Sequence, residues 1–266
     1  MRTAGVECSV RRLQIGNLKI EIHPSRKGAG TAAAEAAAAE LKRLARQSER
    51  ISVIFATGAS QIETLRSLVR IPDLPWKDIS GFHMDEYVGI PADHIGSFRY
   101  YMRQELTECV PIGHFHDVDG NAADPAAFCK EYAETLRSTN PQLCLLGIGE
   151  NGHLAFNDPG FADFDDPEDM KVVLLDEQCK RQQVAERWFR STEEVPSQAM
   201  TLTIPTLLRV PKLIISVPGS RKAKIVYRAL YDPISTACPA TILRTHPDAT
   251  VYLDEESAVE LARTRN

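Results

Sequence analysis

Short apolar runs alternating with longer helical patterns are what most limits the fold of this chain. Parallel strands need a crossover between them, so this alternation is the pattern of an α/β protein with a mainly parallel central sheet. Strand candidates are residues 51–56, 79–84, 143–146, 172–175, 213–217 and 250–253, with a strand-like stretch at 13–22. Helical patterns fill 31–46, which is rich in alanine, and then 61–69, 97–108, 125–137, 177–189 and 220–230, with a short helix from Glu255. Pro and Gly punctuate the joints, and no Ser- or Gly-rich linker or repeat divides the chain. Residues 1–266 are therefore read as a single doubly wound domain.

In such folds ligands collect where strands end and helices begin. Residues 51–56 run into Thr57-Gly58-Ala59-Ser60, and residues 79–84 into Asp85-Glu86-Tyr87. Residues 143–146 run into Gly147-Ile148-Gly149-Glu150-Asn151-Gly152-His153, and residues 213–217 into Pro218-Gly219-Ser220-Arg221-Lys222. Polar or glycine-rich chemistry thus gathers at four strand ends.

The net charge of −5 argues against general nucleic-acid binding, which needs clustered Lys and Arg. It leaves room for a small anion, because a few cations in one pocket suffice. Cys8, Cys109, Cys129, Cys144, Cys179 and Cys238 are scattered without a C-x-x-C pair, and read as reduced thiols of a cytosolic protein. No signal-like run opens the sequence, and no stretch approaches the roughly 20 apolar residues that span a bilayer. The expectation is a soluble cytoplasmic protein with no membrane partner.

Thr57-Gly58-Ala59-Ser60 leads into a helix, where backbone N–H groups and hydroxyls form an anion cradle; the alternative is an ordinary N-cap. Gly147 to Gly152 formally matches G-x-G-x-x-G, but Asn157, Asp158, Pro159 and Gly160 break any helix that should follow. The dinucleotide reading fails on that context, and the glycines instead allow a tight turn that projects Asn151 and His153. His153 with Asp158 is an acid–base pair candidate, against a structural histidine. Asp85-Glu86 offers carboxylates for proton transfer, against a solvated loop. Lys222 sits in the first turn of a predicted helix, where the dipole disfavours a cation unless an anion binds beside it. Arg181 lies in Lys180-Arg181-Gln182-Gln183, where the plain alternative is a solvated charge. His114-x-His116 with Asp117 and Asp119 has no second ligand cluster and fits an extended segment, so no metal is expected.

Phe82-His83-Met84-Asp85-Glu86-Tyr87-Val88-Gly89 resembles the M-D-E-Y-V-G signature of glucosamine-6-phosphate deaminases, and His94 to Phe98 resembles the H-x-x-S-[FY] that follows it. Gly147 to Pro159 resembles the family's G-x-G-x-[ND]-G-H-[IL]-[AG]-F-N-[ED]-P block. Related 6-phosphogluconolactonases read G-x-D-G-H-T-A-S-L-F-P there. Weaker matches are Thr57 to Ser60, Ala199 to Thr203, Gly219 to Ala223 and Pro239 to Pro247.

The resemblance implies a Rossmann-like three-layer sandwich and conversion of an amino-sugar phosphate to fructose 6-phosphate and ammonia, with no cofactor. It implies Asp85 as the base moving a proton between C2 and C1. His153 opens the ring, assisted by Asp158 and Asn151. Ser60, Lys222 and Arg181 hold the phosphate, with Gly58 and Ala59 supplying backbone; Thr57, Glu86 and Gly152 complete the expected substrate-binding set. Asn151 stands where some members have Asp, Asp158 where many have Glu, and Ala59 replaces a common second glycine. The acidic stretch 161–169 stands where allosterically activated relatives carry basic residues, which argues against activation by an acetylated sugar phosphate. Rival readings are a 6-phosphogluconolactonase-type hydrolase, an isomerase without deamination, a galactosamine-6-phosphate deaminase and a non-catalytic sugar-phosphate sensor. A homo-oligomer is left open.

Overall fold

The computed structural model describes residues 9–261, so Cys8 lies outside the described residues. An eight-stranded sheet runs through the molecule in the order β1-β2-β11-β10-β7-β3-β4-β6. Its strands are β1 (Arg11–Ile15), β2 (Leu18–His23), β3 (Ile51–Phe55), β4 (Ile79–His83), β6 (His114–His116), β7 (Leu143–Leu146), β10 (Lys212–Ser216) and β11 (Ala249–Asp254). Only the β1–β2 pair is antiparallel, and every other neighbour is parallel. The strand-like stretch at 13–22 is thus a hairpin. Full burial of β3 and β7 explains why their sequences read as unbroken apolar runs.

Helices cover both faces. On one side lie α1 (Arg26–Ala45), α2 (Ile62–Leu68) and α3 (Phe98–Met102), packed through Ala33, Ala37, Leu41, Leu65 and Met102. On the other lie α4 (Pro125–Thr139), α6 (Ile204–Leu208) and α7 (Ala223–Tyr231), packed through Tyr132, Leu136, Leu207, Ile225 and Val226. The result is the expected three-layer α/β sandwich. Helix α1 starts earlier than its alanine content predicts, because Ser25 caps it by accepting from the Gly28 N–H at 3.1 Å.

A second sheet is a correction to the sequence reading. Strands β5 (Asp85–Tyr87), β9 (Gln198–Leu202) and β8 (Met170–Leu174) pair antiparallel in that order. The strand predicted at 172–175 therefore lies outside the parallel sheet, and Asp85-Glu86-Tyr87 is strand rather than loop. Strand β8 leaves Leu174 exposed and is only half covered, which suits an antiparallel sheet with one solvated face. An aromatic cluster supports this sheet: the Tyr87 ring lies 5.1 Å from Phe98, 5.2 Å from Phe156 and 5.4 Å from Phe189.

Four helix boundaries also differ. Residues 103–107 continue α3 as a π-helical turn. Lys222 closes a 3-10 turn, Ser220–Lys222, and α7 begins after it. Helix α5 (Glu177–Ala185) ends before residue 189, with Arg187 left-handed at φ 67° and Trp188 N–H donating to Gln183 O at 3.1 Å. That is a helix-terminating motif usually built on glycine. The turn from Glu255 tightens to 3-10 only at 259–261. Cys109, Cys129, Cys144, Cys179 and Cys238 are free. Among the described residues no helix is long and apolar enough to cross a membrane.

Candidate active site

The chain steps outward from β3 to β4 and β6 on one side, and from β7 to β10 and β11 on the other. The crevice between the carboxyl ends of β3 and β7 is thus the switch point where open α/β sheets bind ligands. A cavity opens there, with about 570 Å³ of free space including its mouth. The chain beyond β3 supplies Thr57, Gly58, Ala59 and Ser60, and the chain beyond β7 supplies Gly147, Ile148 and Gly149. Asp85, His153 and Lys222 complete the set of predicted residues that line it.

At one end, buried Gln61 ties the two loops together. Its Nε2 donates to Leu146 O at 3.1 Å and to Ser60 Oγ at 3.2 Å. Gly58 O accepts from the Gln61 N–H at 3.0 Å and the Tyr101 hydroxyl at 3.1 Å, which fixes the cradle. Lys222 is buried and reaches in from its turn, donating from Nζ to Ile148 O at 2.8 Å. That is the one hydrogen bond of its side chain among the described residues, so two ammonium hydrogens remain for a ligand. Burial pushes the Lys222 pKa down, while Glu186 and Glu150 pull the other way.

Asp85 sits where β4 passes into β5, and it is 5% exposed. Its Oδ1 is buried without a hydrogen-bond partner. Burial, then the neighbouring Glu86 charge, raise its pKa well above the ordinary carboxylate range. Glu86 is a correction: it does not line the cavity. Alternation along β5 points it away, where Oε2 accepts from Ser97 Oγ at 2.7 Å and Arg99 N–H at 2.9 Å. Its Oε1 accepts from Phe98 N–H at 3.1 Å and Tyr87 N–H at 3.0 Å. Glu86 therefore anchors the start of α3.

His153 Nδ1 lies 2.8 Å from Asp158 Oδ1, which also accepts from Asn151 Nδ2 at 2.8 Å. Burial alone would raise the Asp158 pKa; His153 and the hydrogen bonds from His153, Asn151 and Asp176 outweigh it and hold the carboxyl below its ordinary value. An ionised carboxylate only accepts, so Nδ1 carries hydrogen and Nε2 is left as the reactive nitrogen. A Cβ on Gly149 would lie 2.2 Å from Nε2, so only glycine lets this ring settle over the cavity floor. Asp158 thus supplies the carboxylate partner that Asn151 cannot. Asn151 stands behind the histidine and does not line the cavity. Gly152 is a second correction: at φ 95° it turns the chain, and a Cβ there would meet Cys238 Sγ at 2.9 Å rather than a ligand.

Arg181 is a third correction, since it is exposed and absent from the cavity wall. Helix α5 instead turns Gln182, Gln183 and Glu186 inward, none of which the sequence reading singled out. Gln182 is a strut, accepting from Glu150 N–H at 3.0 Å and donating to Glu186 Oε1 at 2.9 Å. Glu186 Oε2 also accepts from Trp188 Nε1 at 3.2 Å. Spacing of i, i+1 and i+4 puts all three on one helix face, but polar residues surround this helix, so pattern gave no phase.

His114 and His116 pack against each other at 4.2 Å between ring centroids on the edge strand β6, and His116 meets Ser80 Oγ at 3.0 Å. Among the described residues the one group with metal-ligand spacing is His153, Asp158 and Cys179. Its donors are otherwise engaged: Asp158 holds His153, and burial with nearby carboxylates keeps the Cys179 thiol protonated.

Fold and cavity together define a doubly wound α/β protein with a glycine-containing loop, a buried lysine, a carboxylate and a histidine–carboxylate pair at its switch point. The family model described as glucosamine-6-phosphate isomerases/6-phosphogluconolactonase matches residues 24–252. Glucosamine-6-phosphate deaminases of Bacillus thuringiensis (strain Al Hakam) and Bacillus cereus (strain AH820) are each 32% identical over 224 residues, 84% of this chain and 83% of theirs. A solved monomeric glucosamine-6-phosphate deaminase aligns with a TM-score of 0.82 at 30% identity, over 90% of this chain and 98% of that one. The 6-phosphogluconolactonase of Trypanosoma brucei aligns with a TM-score of 0.76 at 20% identity, over 94% and 100%, which shows a shared fold. The chain belongs to the glucosamine-6-phosphate isomerase/6-phosphogluconolactonase family.

Proposed function

We propose that this protein converts glucosamine 6-phosphate and water to fructose 6-phosphate and ammonia. One observation carries the reading: Asp85 and His153 line a single cavity that also holds Ser60 and Lys222. The Lys222 ammonium and the N–H groups at the Ser60–Lys222 end suit a phosphate, and binding there orients the reacting carbons towards Asp85.

A closed pyranose hides its aldehyde. His153 Nε2 takes the proton from the C1 hydroxyl and returns it to the ring oxygen as the C1–O5 bond breaks. The Asp158 carboxylate stabilises the imidazolium formed in between. Asp85 then removes the C2 proton and delivers it to C1, while a proton from the amino group passes to the C1 oxygen, leaving a hydroxyl on C1 and an imine at C2. Water adds to that carbon and ammonia departs. A raised pKa makes Asp85 a stronger base towards carbon once ionised, and each positioned acid or base supplies about 10²–10⁴-fold.

The test is release of ammonia and ketose phosphate by purified protein, with Asp85→Asn alongside. Equal amounts of both products, lost in the variant, support the deaminase and its carbon base. No turnover at high enzyme concentration removes the glucosamine assignment, and galactosamine 6-phosphate and 6-phosphogluconolactone are then assayed in turn. Binding without turnover of any of them would favour a sensor.

A further inference from the structure

With the phosphate at Ser60 and Lys222 and the first two carbons at Asp85, the hydroxyls in the middle of the sugar face the walls between. Much of that wall is apolar or backbone: Met84, Phe98, Ile148, Ala155 and Phe156 line it. Helix α5 is where side-chain polarity enters, through Gln182, Gln183 and Glu186. Both functional groups of Gln182 are consumed by Glu150 and Glu186, and both Glu186 oxygens already accept hydrogen bonds. Gln183 differs. It is 6% exposed, yet its side-chain amide makes no hydrogen bond to any described residue. Its unbonded amide is not sealed in the core but opens onto the cavity, where a ligand can satisfy it.

We propose that Gln183 is a specificity-determining residue that hydrogen-bonds a C3 or C4 hydroxyl of the bound sugar phosphate, its amide donating and accepting at once. The assignment rests on the deaminase reading above. Its neighbours favour the role: Gln182 and the Trp188–Glu186 bond brace this turn of α5, and the Trp188 N–H to Gln183 O bond fixes the backbone of Gln183 itself. The backbone that carries Gln183 is therefore fixed, and its amide stays free to bond a ligand. A site built to bond a hydroxyl discriminates strongly against a substrate that lacks it or presents it on the other face.

The experiment compares wild type, Gln183→Met and Gln183→Glu on glucosamine 6-phosphate, its 3-deoxy and 4-deoxy analogues, and galactosamine 6-phosphate. Methionine keeps the length and removes the polarity. Gln183→Met is expected to lose about 10–100-fold in kcat/KM on the parent substrate, and the loss should collapse towards one on the analogue lacking the hydroxyl that is read. Gln183→Glu, which keeps an acceptor, should recover part of it. Thermal stability of Gln183→Met should be unchanged, because the amide bonds no other described residue. An equal loss on every substrate, no loss at all, or a loss accompanied by a fall in Tm would each overturn the assignment. If wild type releases ammonia normally while Gln183→Met is unaffected, only the Gln183 role fails. If wild type turns over no amino-sugar phosphate, the deaminase reading fails and this role falls with it.

Discussion

Asp85 and Asp158 are both buried, at 5% and 0% exposure, and their surroundings pull them in opposite directions. Asp85 has an oxygen without a partner and a carboxylate neighbour, so its pKa rises. Asp158 is equally enclosed but gathers His153, Asn151 and the Asp176 N–H, and its pKa falls. Burial is common to both, so it does not set the outcome. The partners differ: Asp85 has the Glu86 carboxylate beside it and an oxygen without a donor, whereas the His153 charge and the hydrogen bonds it receives hold Asp158 ionised. The first arrangement suits a base whose proton must move, the second a fixed counter-charge for an imidazolium.

The largest expected effect tests the bare member. Asp85→Asn should lower kcat by about 10³–10⁴-fold in the ammonia-release assay, and a variant retaining a tenth of wild-type turnover would remove Asp85 from the chemistry. Asp158→Asn should cost on the order of 10²-fold in kcat, and it should also lower stability by about 1–3 kcal/mol in urea titration because the hydrogen-bonded charge is lost.

Smaller shifts come from pH. The folded pKa of Asp85 lies above its unfolded value, so ionising it costs stability. The stability advantage of Asp85→Asn over wild type should be near zero below about pH 4, widen as pH rises towards the raised pKa, and then level off. For Asp158 the sign reverses. Its stabilisation is present above about pH 4 and is lost as pH falls through its depressed pKa, so the Asp158→Asn deficit should shrink in acid. Parallel pH curves for the two variants would break the comparison outright. Smallest of all, Glu86→Gln should lower stability by about 1–2 kcal/mol with KM unchanged, since Glu86 serves the start of α3 rather than the ligand.

Much of this arrangement was legible beforehand. Strands β3 and β7 are buried on both faces, so their apolar runs and the glycine-rich turns after them marked the cavity floor. Ser60, Asp85, His153 and Lys222 follow the carboxyl ends of β3, β4, β7 and β10, and Asp158 lies further along the loop after β7. The second sheet was not legible, because strands of three and five residues carry too little periodicity to announce antiparallel pairing. Helix α5 failed for a related reason. With Lys180, Arg181, Gln182 and Gln183 consecutive, polarity gives no rotation about the axis, and the charged residue was preferred although the glutamines face inward. Glu86 misled because a paired-carboxylate motif hides the alternation that sends neighbouring strand residues to opposite sides.

The hairpin that lays β1 along β2 also closes one rim of the large sheet. Strand β1 ends the large sheet in five residues, with Arg11, Arg12 and Gln14 exposed and Arg12 paired across to Glu21 at 2.8 Å. The opposite rim, β6, is only three residues long. Among the described residues, neither rim offers a long, flat, uncharged template to a second chain. Removing the residues through Ile15 would bare β2, whose Leu18, Ile20 and Ile22 are buried in the intact fold, and would turn a closed margin into a seed for aggregation.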